Sequence, residues 1–196
     1  MAPRFNAASG GEQGWMPHAR HMPSPNADDR PAGMTIDLLV IHCIALPPRQ
    51  YGGDAIEQLF CNRLDYQAHP AFSALEGLRV SAHFVVRRDG VLTQYVSCDR
   101  RAWHAGASRF AGRERCNDFS IGIELEGSDD EPFEAEQYET LIALGAELFA
   151  RYPLRAIAGH GDIAPGRKTD PGIGFDWRRL KNGLALPARA FPFQAF

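Results

Sequence analysis

The fold is decided by the run Ile36-Asp37-Leu38-Leu39-Val40-Ile41-His42, which is apolar at almost every position and ends in a histidine. A near-continuous apolar run of this length, followed closely by Pro47-Pro48, is typical of a strand that is buried on both faces. Such strands occur in sheets that carry helices on their faces. The run therefore indicates an α/β protein with a histidine at the end of a buried strand.

The segments downstream complete an α/β pattern. The sequence predicts a short helix over 54–64, a hairpin over 82–96, a strand over 120–126, a helix over 134–152, a strand over 156–158 and a last helix beginning at Asp176. The hairpin is indicated by Asp89-Gly90 between two β-rich runs. The order β-α-β-β-β-α-β-α predicts a single α/β domain, in which a central mixed β-sheet is flanked by α-helices.

Composition at the two ends of the chain divides it into three parts. Residues 1–33 are rich in Pro, Gly, Asn and Asp, and we expect an irregular N-terminal arm that lies over the domain. Residues 34–185 are predicted to form the domain that carries the site. Residues 186–196 form a C-terminal tail whose phenylalanines pack or fray.

Charge and cysteine content exclude several classes of protein. The 196 residues carry a net charge of -3, so we expect neither nucleic acid nor a membrane surface as partner. No run of apolar residues is long enough for a transmembrane helix, and the first ten residues lack the apolar segment of a secretory signal. The four cysteines are widely spaced, which is typical of reduced thiols. These features predict a cytoplasmic protein.

Chemistry-bearing side chains concentrate in the segment from Gly159 to Gly172. It contains His160, Asp162, Lys168 and Asp170, and its glycines and prolines predict neither a helix nor a strand. Lys168 is one of two lysines in a chain with nineteen arginines. Loops of this kind often carry function, but Gly/Pro/Asp clusters are also ordinary surface turns, and the loop alone does not decide between them.

Two histidines follow apolar strands, and parallel strands open their carboxyl ends on one edge of a sheet, where ligands bind. His42 and His160 can meet at one ion there, and Asp170 would complete a set of three ligands with one open position, the pattern of catalytic zinc. Each histidine taken alone is as easily a core or surface side chain. Spacing does not show that these three converge, and other histidines compete for the role: His69, His83 and His104.

Glu124 and Glu126 lie two residues apart on a predicted strand and so share a face. One of them is a candidate general base in the cleft, and the alternative is a pair of exposed glutamates on an edge strand. Other nucleophiles are less well supported. Cys43 adjoins His42, but neighbours on a strand point to opposite faces, and the chain has no nucleophile elbow, P-loop or Rossmann glycine fingerprint.

Several blocks of the sequence together resemble the zinc-dependent N-acetylmuramoyl-L-alanine amidases of the AmpD type, from the superfamily that includes peptidoglycan recognition proteins. The resemblance covers about residues 20–182, and the matching blocks are 23–26, 38–42, 77–83, 87–90, 101–106, 112–127 and 159–172. Two positions depart from the family pattern: Cys43 stands where Asn is frequent, and Gly161 where Cys is frequent.

The resemblance implies a role for each matching residue. His42, His160 and Asp170 would bind one Zn²⁺, Glu124 would help to activate water, and Lys168 would stabilise the oxyanion. Further residues match segments near the substrate groove and would bind substrate: Arg79, Trp103, His104, Ala105, Arg115 and Asn117.

The implied activity is hydrolysis of the amide bond between the lactyl group of N-acetylmuramic acid and L-alanine. The implied substrates are small 1,6-anhydro-muropeptides in peptidoglycan recycling. Two alternatives are kept: a muropeptide-binding module without catalysis, and an amidase that acts on intact peptidoglycan outside the cytoplasm.

Overall fold

The computed structural model describes residues 14–196. Its strands, in chain order, are β1 (Arg20–His21), β2 (Ala27–Asp29), β3 (Leu38–Ile44), β4 (Phe84–Val86), β5 (Leu92–Gln94), β6 (Arg100–Ala102), β7 (Arg109–Phe110), β8 (Arg113–Glu114), β9 (Ser120–Glu126) and β10 (Ala156–Gly159). Within these residues, one six-stranded sheet has the order β1-β5-β4-β9-β3-β10. β4 and β5 pair antiparallel, and the other neighbours run parallel. The predicted mixed sheet is confirmed.

Helices cover both faces of this sheet. They are α1 (Ala55–Phe60), α2 (Ala135–Arg151), α3 (His160–Ile163) and α4 (Trp177–Leu184), with 3₁₀ turns at Pro70–Leu75, Cys116–Asp118 and Ala188–Ala190. α2 and α4 pack on the face that holds Leu39 and Ile41. The opposite face is covered by α1 and the turn at Pro70–Leu75 at one side, and by α3 and the turn at Cys116–Asp118 at the other.

The alternation of side chains along β3 determines the face of the sheet to which His42 points. Leu39 and Ile41 enter the core beneath α2, whereas Leu38, Val40 and therefore His42 point to the other face. In the register of the sheet, His42 is the partner of Glu124 on β9. β10 runs parallel on the other side of β3 and ends at Gly159, beside Ile41. The carboxyl ends of β3, β9 and β10 thus lie at one edge.

The helical predictions are confirmed with one exception. α2 starts with a capping box between Glu134 and Gln137, and the side chain of Asp176 accepts a hydrogen bond from the backbone N–H of Arg179 at the start of α4. The prediction that the loop after β10 contains no helix is wrong, because His160–Ile163 form one helical turn. A single turn is too short to leave a periodic apolar pattern in the sequence.

The arm is more deeply involved in the core than its composition predicts. Its residues 1–13 lie outside the described part of the chain. Residues 14–33 are mostly irregular, but β1 and β2 each join a sheet and the Met16 side chain is fully buried. The Arg30 guanidinium donates to the carbonyl oxygens of Cys98 (3.0 Å) and Ser120 (2.8 Å), which ties the arm to the start of β9.

The tail also packs in part. Phe191 is buried, whereas the side chains of Phe193 and Phe196 are largely exposed. Across the described residues, no helix combines the length and the apolar character needed to cross a membrane.

Candidate metal and active site

Three side chains predicted as metal ligands converge at the carboxyl edge of the sheet. His42 Nδ1 and His160 Nδ1 each lie 3.1 Å from the same oxygen, Asp170 Oδ2. One donor atom from each residue lies within 4.8 Å of the others, so the three form a possible metal site. His42 arrives at the end of β3, His160 directly after β10, and Asp170 from the loop that follows α3.

Burial and charge hold these groups in the forms that bind metals. Burial lowers the pKa of His42 to about 4, although the hydrogen bond to Asp170 opposes the shift. Burial acts against ionisation of Asp170, but its hydrogen bonds to the two histidines outweigh that effect and lower the pKa of this carboxyl. A neutral imidazole and an ionised carboxylate are the forms that a metal ion requires.

The donor set fits a zinc ion. Each histidine already uses its other ring nitrogen: His42 Nε2 lies 2.9 Å from His104 Nδ1, and His160 Nε2 lies 3.1 Å from the carbonyl oxygen of Ala105. The remaining nitrogen of each ring, Nδ1, therefore faces the carboxylate of Asp170. Two nitrogens and one oxygen are ligands that zinc accepts at catalytic sites.

The Asp170 loop is fixed from two sides. The carbonyl oxygen of Asp170 accepts a hydrogen bond from the backbone N–H of Gly161 (2.8 Å), and Thr169 Oγ1 donates to Asp129 Oδ2 (2.6 Å). Gly172 adopts φ +81°, and a Cβ there would stand 1.9 Å from the carbonyl oxygen of Asp129. Only a glycine therefore permits the close approach that positions this loop.

Glu124 of β9 adds a second carboxyl group to the site. Its Oε2 atom is buried and has no hydrogen-bond partner among residues 14–196. Burial raises the pKa of Glu124 well above its usual range, the Asp170 carboxylate raises it further, and the Lys168 ammonium acts in the opposite direction. A buried carboxyl group with a raised pKa beside a metal site has the properties of a proton acceptor and donor.

Glu126 lies on the same face of β9 as Glu124, but its carboxylate is hydrogen-bonded to other segments of the fold. Its carboxylate accepts hydrogen bonds from Arg87 Nη1 (2.8 Å) and from the backbone N–H of Gly52 (2.7 Å). Since β9 is a central strand, the alternative of two exposed edge glutamates is wrong.

Lys168 lies on the rim of the site. Its side chain is exposed and lines a cleft of about 500 Å³ together with Asp129, Thr169 and Asp170. An ammonium group in this position is available to a negative oxygen on a bound substrate.

Two of the competing histidines, His69 and His83, make their hydrogen bonds away from the three predicted ligands. His69 Nδ1 accepts the backbone N–H of Ala71 at the start of the turn at Pro70–Leu75. His83 is fully buried, and its Nδ1 accepts the backbone N–H of Gly122.

Part of the predicted substrate-binding set supports the predicted metal ligands. His104 is buried beneath His42, and burial, followed by the charge of His42, lowers its pKa well below the usual value. The Ala105 side chain is fully buried. Asn117 Oδ1 accepts the backbone N–H groups of His104 (3.2 Å) and Ala105 (2.8 Å). His104, Ala105 and Asn117 thus support the predicted metal ligands, and their part in substrate binding stays a prediction. The sequence places them near the site but does not show on which side of the ligands they lie.

The remaining members of that set have other surroundings. Arg79 and Arg115 are exposed, and Trp103 is half-buried. All three stay candidates for substrate contacts.

Sequence reasoning missed two supporting groups. The contact between Asp129 and Thr169 has no signal in the sequence, because two helices and a strand separate the two residues. The supporting position of His104 does have a signal in the sequence, which is Gly122. A glycine inside an otherwise apolar strand indicates that another group approaches the backbone closely. A Cβ at Gly122 would stand 2.5 Å from Cγ of the His104 ring.

Comparison with known proteins agrees with this geometry. The family model described as N-acetylmuramoyl-L-alanine amidase matches residues 32–173. The chain belongs to this amidase family. The resemblance inferred from the sequence is confirmed, and the chain is a hydrolase that cleaves an N-acetylmuramoyl-L-alanine amide.

Individual members of the family are similar over most of the chain. The 1,6-anhydro-N-acetylmuramyl-L-alanine amidase AmpD of Enterobacter cloacae is 55% identical over 171 residues, which are 86% of this chain and 91% of the relative. A crystal structure of a selenomethionine AmpD derivative superposes with a TM-score of 0.86 at 51% identity, covering 88% of this chain and 98% of that one. The predicted fold class is confirmed by this match.

A more distant amidase has been solved with a ligand. Escherichia coli AmiD in complex with the substrate anhydro-N-acetylmuramic acid-L-Ala-D-gamma-Glu-L-Lys matches with a TM-score of 0.57 at 30% identity, covering 79% of this chain and 60% of that one.

Proposed function

We propose that this amidase hydrolyses the bond between the lactyl group of 1,6-anhydro-N-acetylmuramic acid and L-alanine in muropeptides, as a zinc enzyme of peptidoglycan recycling in the cytoplasm. The observation that carries the proposal is the convergence of His42, His160 and Asp170 on one point, with the unpaired carboxyl of Glu124 on the adjacent strand. The similarity to AmpD supports the anhydro-muropeptide as substrate.

The proposed roles follow from the surroundings of each group. Zinc held by His42, His160 and Asp170 would polarise the scissile carbonyl and supply a water with a pKa of about 7. Glu124 accepts the proton of the attacking water on its buried carboxylate and delivers it to the leaving amine of L-alanine. Lys168 places its ammonium beside the oxygen that becomes negative, which typically contributes a few kcal/mol.

The alternative of a binding module without catalysis is less well supported. Such a module has no use for a buried carboxyl that lacks a partner, because an unpaired polar group destabilises the fold. His42, His160 and Asp170 are also of the residue types that bind zinc at catalytic sites.

Substrate class is tested by comparing three substrates at equal concentration: an anhydro-muramyl tripeptide, the same peptide on reduced N-acetylmuramic acid, and intact peptidoglycan. We expect release of peptide from the anhydro-muramyl substrate at the highest kcat/KM. Equal or faster release from intact peptidoglycan would contradict the proposed substrate, and absence of release from all three would contradict the amidase reaction.

A further inference from the structure

A buried chain of hydrogen bonds runs from the metal site into the core. His42 Nε2 lies 2.9 Å from His104 Nδ1, and His104 Nε2 lies 3.1 Å from Ser120 Oγ. Ser120 Oγ in turn donates to the carbonyl oxygen of Cys116 at 2.6 Å. His42, His104 and Ser120 are all buried.

The carbonyl at the end of this chain fixes the direction of every bond in it. A carbonyl oxygen accepts only, so the Ser120 hydroxyl donates to Cys116 and is left to accept from His104 Nε2. A neutral imidazole carries one N–H, so Nδ1 of His104 is an acceptor. When a metal ion takes the place of the hydrogen bond between His42 Nδ1 and Asp170, His42 carries its hydrogen on Nε2 and offers the lone pair of Nδ1 to the ion.

The fold holds the His104 ring in place with little freedom. The rings of His42 and His104 meet edge to face, with centroids 5.0 Å apart. Gly122 leaves the space that the ring occupies, since a Cβ there would stand 2.5 Å from Cγ and Nδ1 of His104. Asn117 Oδ1 holds the backbone of the same segment through the N–H of His104.

The residue after His104 supports the second histidine ligand. The carbonyl oxygen of Ala105 lies 3.1 Å from His160 Nε2, and it also accepts from Arg167 Nη2 at 2.6 Å. Two consecutive residues therefore contact the outer nitrogens of both histidine ligands.

We propose that His104 is a positioning residue for the metal, which fixes the tautomer and the ring orientation of His42 through the chain that ends at Cys116. The proposal rests on the proposed function, because it assigns His42 to the metal. Groups that accept the outer N–H of a ligating histidine commonly change metal affinity by about 10- to 100-fold when they are removed.

The test is a pair of substitutions at one position. His104→Phe keeps an aromatic ring of similar size but has no acceptor, and we expect its zinc Kd, measured by competition with a chelator, to rise about 10- to 100-fold. His104→Asn places a carboxamide oxygen near the position of Nδ1, and we expect a Kd closer to that of the unsubstituted protein. Unfolding of the metal-free proteins is measured alongside, since a purely structural role would lower their stability without changing zinc affinity.

His18→Phe is the matched control, because His18 is exposed and pairs with Glu147 of α2, on the face of the sheet opposite to His42, and we expect no change in Kd. A folded His104→Phe protein with an unchanged zinc Kd would overturn the proposal. If His104→Phe does not fold, Ser120→Ala is used instead, because it removes the hydroxyl that links His104 to the carbonyl oxygen of Cys116. We then expect the zinc Kd of Ser120→Ala to rise, and an unchanged Kd overturns the proposal. Failure of the unsubstituted protein to bind zinc would instead contradict the proposed function itself.

Discussion

At the scale of single residues, two glutamates on one face of β9 have different chemistry because their surroundings differ. The Glu126 carboxylate is neutralised by Arg87 at 2.8 Å, whereas Glu124 Oε2 is buried without a hydrogen-bond partner in the described chain. A carboxylate that accepts hydrogen bonds from two segments joins those segments to its strand. An unpaired buried carboxyl has a raised pKa and is available for proton transfer.

Glu124→Gln is expected to lower kcat by about 100-fold or more, because an amide cannot accept the proton of the attacking water. Zinc content is expected to remain at that of the unsubstituted protein, since Glu124 is not among the ligands. Glu126→Gln is the matched control: it weakens the pairing with Arg87 and lowers the free energy of unfolding by about 1–3 kcal/mol, while kcat changes little. Retained turnover in Glu124→Gln would assign the base to another group.

The buried side chain of His83 is expected to lower the free energy of unfolding at acidic pH. Burial, followed by the charge of Arg30, lowers the pKa of His83 in the folded protein to about 3, from its ordinary value of 6.5. A lowered folded-state pKa means that the unfolded chain binds more protons below pH 6.5. The stability from the neutral ring is thus complete above pH 6.5 and is lost as the pH falls towards 3, by up to about 1.4 kcal/mol per pH unit.

The measurement is the free energy of unfolding between pH 7 and pH 4.5, with chelator present so that metal binding does not contribute. His83→Gln is expected to be less stable at pH 7 and to lose less stability across this range. Parallel curves for the two proteins would show that His83 is not the group responsible.

At the scale of elements, the site depends on where three parallel strands end. β3, β9 and β10 deliver His42, Glu124 and His160 to one edge, and α2 holds that edge in register. Gln137 of α2 is fully buried, and its Nε2 donates to the carbonyl oxygens of Val86 (3.2 Å) and Glu126 (3.1 Å), at the ends of β4 and β9.

Gln137→Leu is expected to lower the free energy of unfolding by about 3 kcal/mol, because it leaves two buried carbonyl oxygens without a donor and removes the capping box at the start of α2. Denaturant unfolding measures the change. Glu139→Ala, an exposed change in the same helix, is the control and is expected to stay within about 0.5 kcal/mol. A loss in Gln137→Leu as small as in the control would contradict the bridging role.

At the scale of the whole molecule, the proposed metal joins parts of the chain that are far apart in sequence. His42 and Asp170 are separated by 128 positions, and the Nδ1 atoms of His42 and His160 both contact Asp170 Oδ2. An ion that binds only the folded protein stabilises it in proportion to the logarithm of its concentration relative to Kd.

Zinc at about 100 times its Kd is therefore expected to raise the free energy of unfolding by about 2.7 kcal/mol, and chelator is expected to reverse the increase. Thermal unfolding with and without metal measures the shift. In His42→Ala the shift is expected to disappear, whereas His18→Ala is expected to retain it. A stability that does not respond to zinc or chelator would contradict a metal bound at this site.

Sequence by itself determined the fold class, the family and the candidate site residues. Apolar runs report buried strands because burial on both faces requires apolar side chains at successive positions, and periodic spacing reports α2 because one face of that helix is buried. The blocks around His42, Glu124 and His160 are specific enough to indicate the family without knowledge of the fold.

Only the tertiary structure decided which polar side chains meet and on which side of the ligands each one lies. His83 and His104 are as prominent in the sequence as His42, yet His83 is a buried support for β9 and His104 lies beneath His42. Glu124 and Glu126 likewise differ only in what other segments bring beside them. Hydrogen bonds and ion pairs depend on distances of a few ångströms between residues distant in sequence, and local pattern carries no record of those distances.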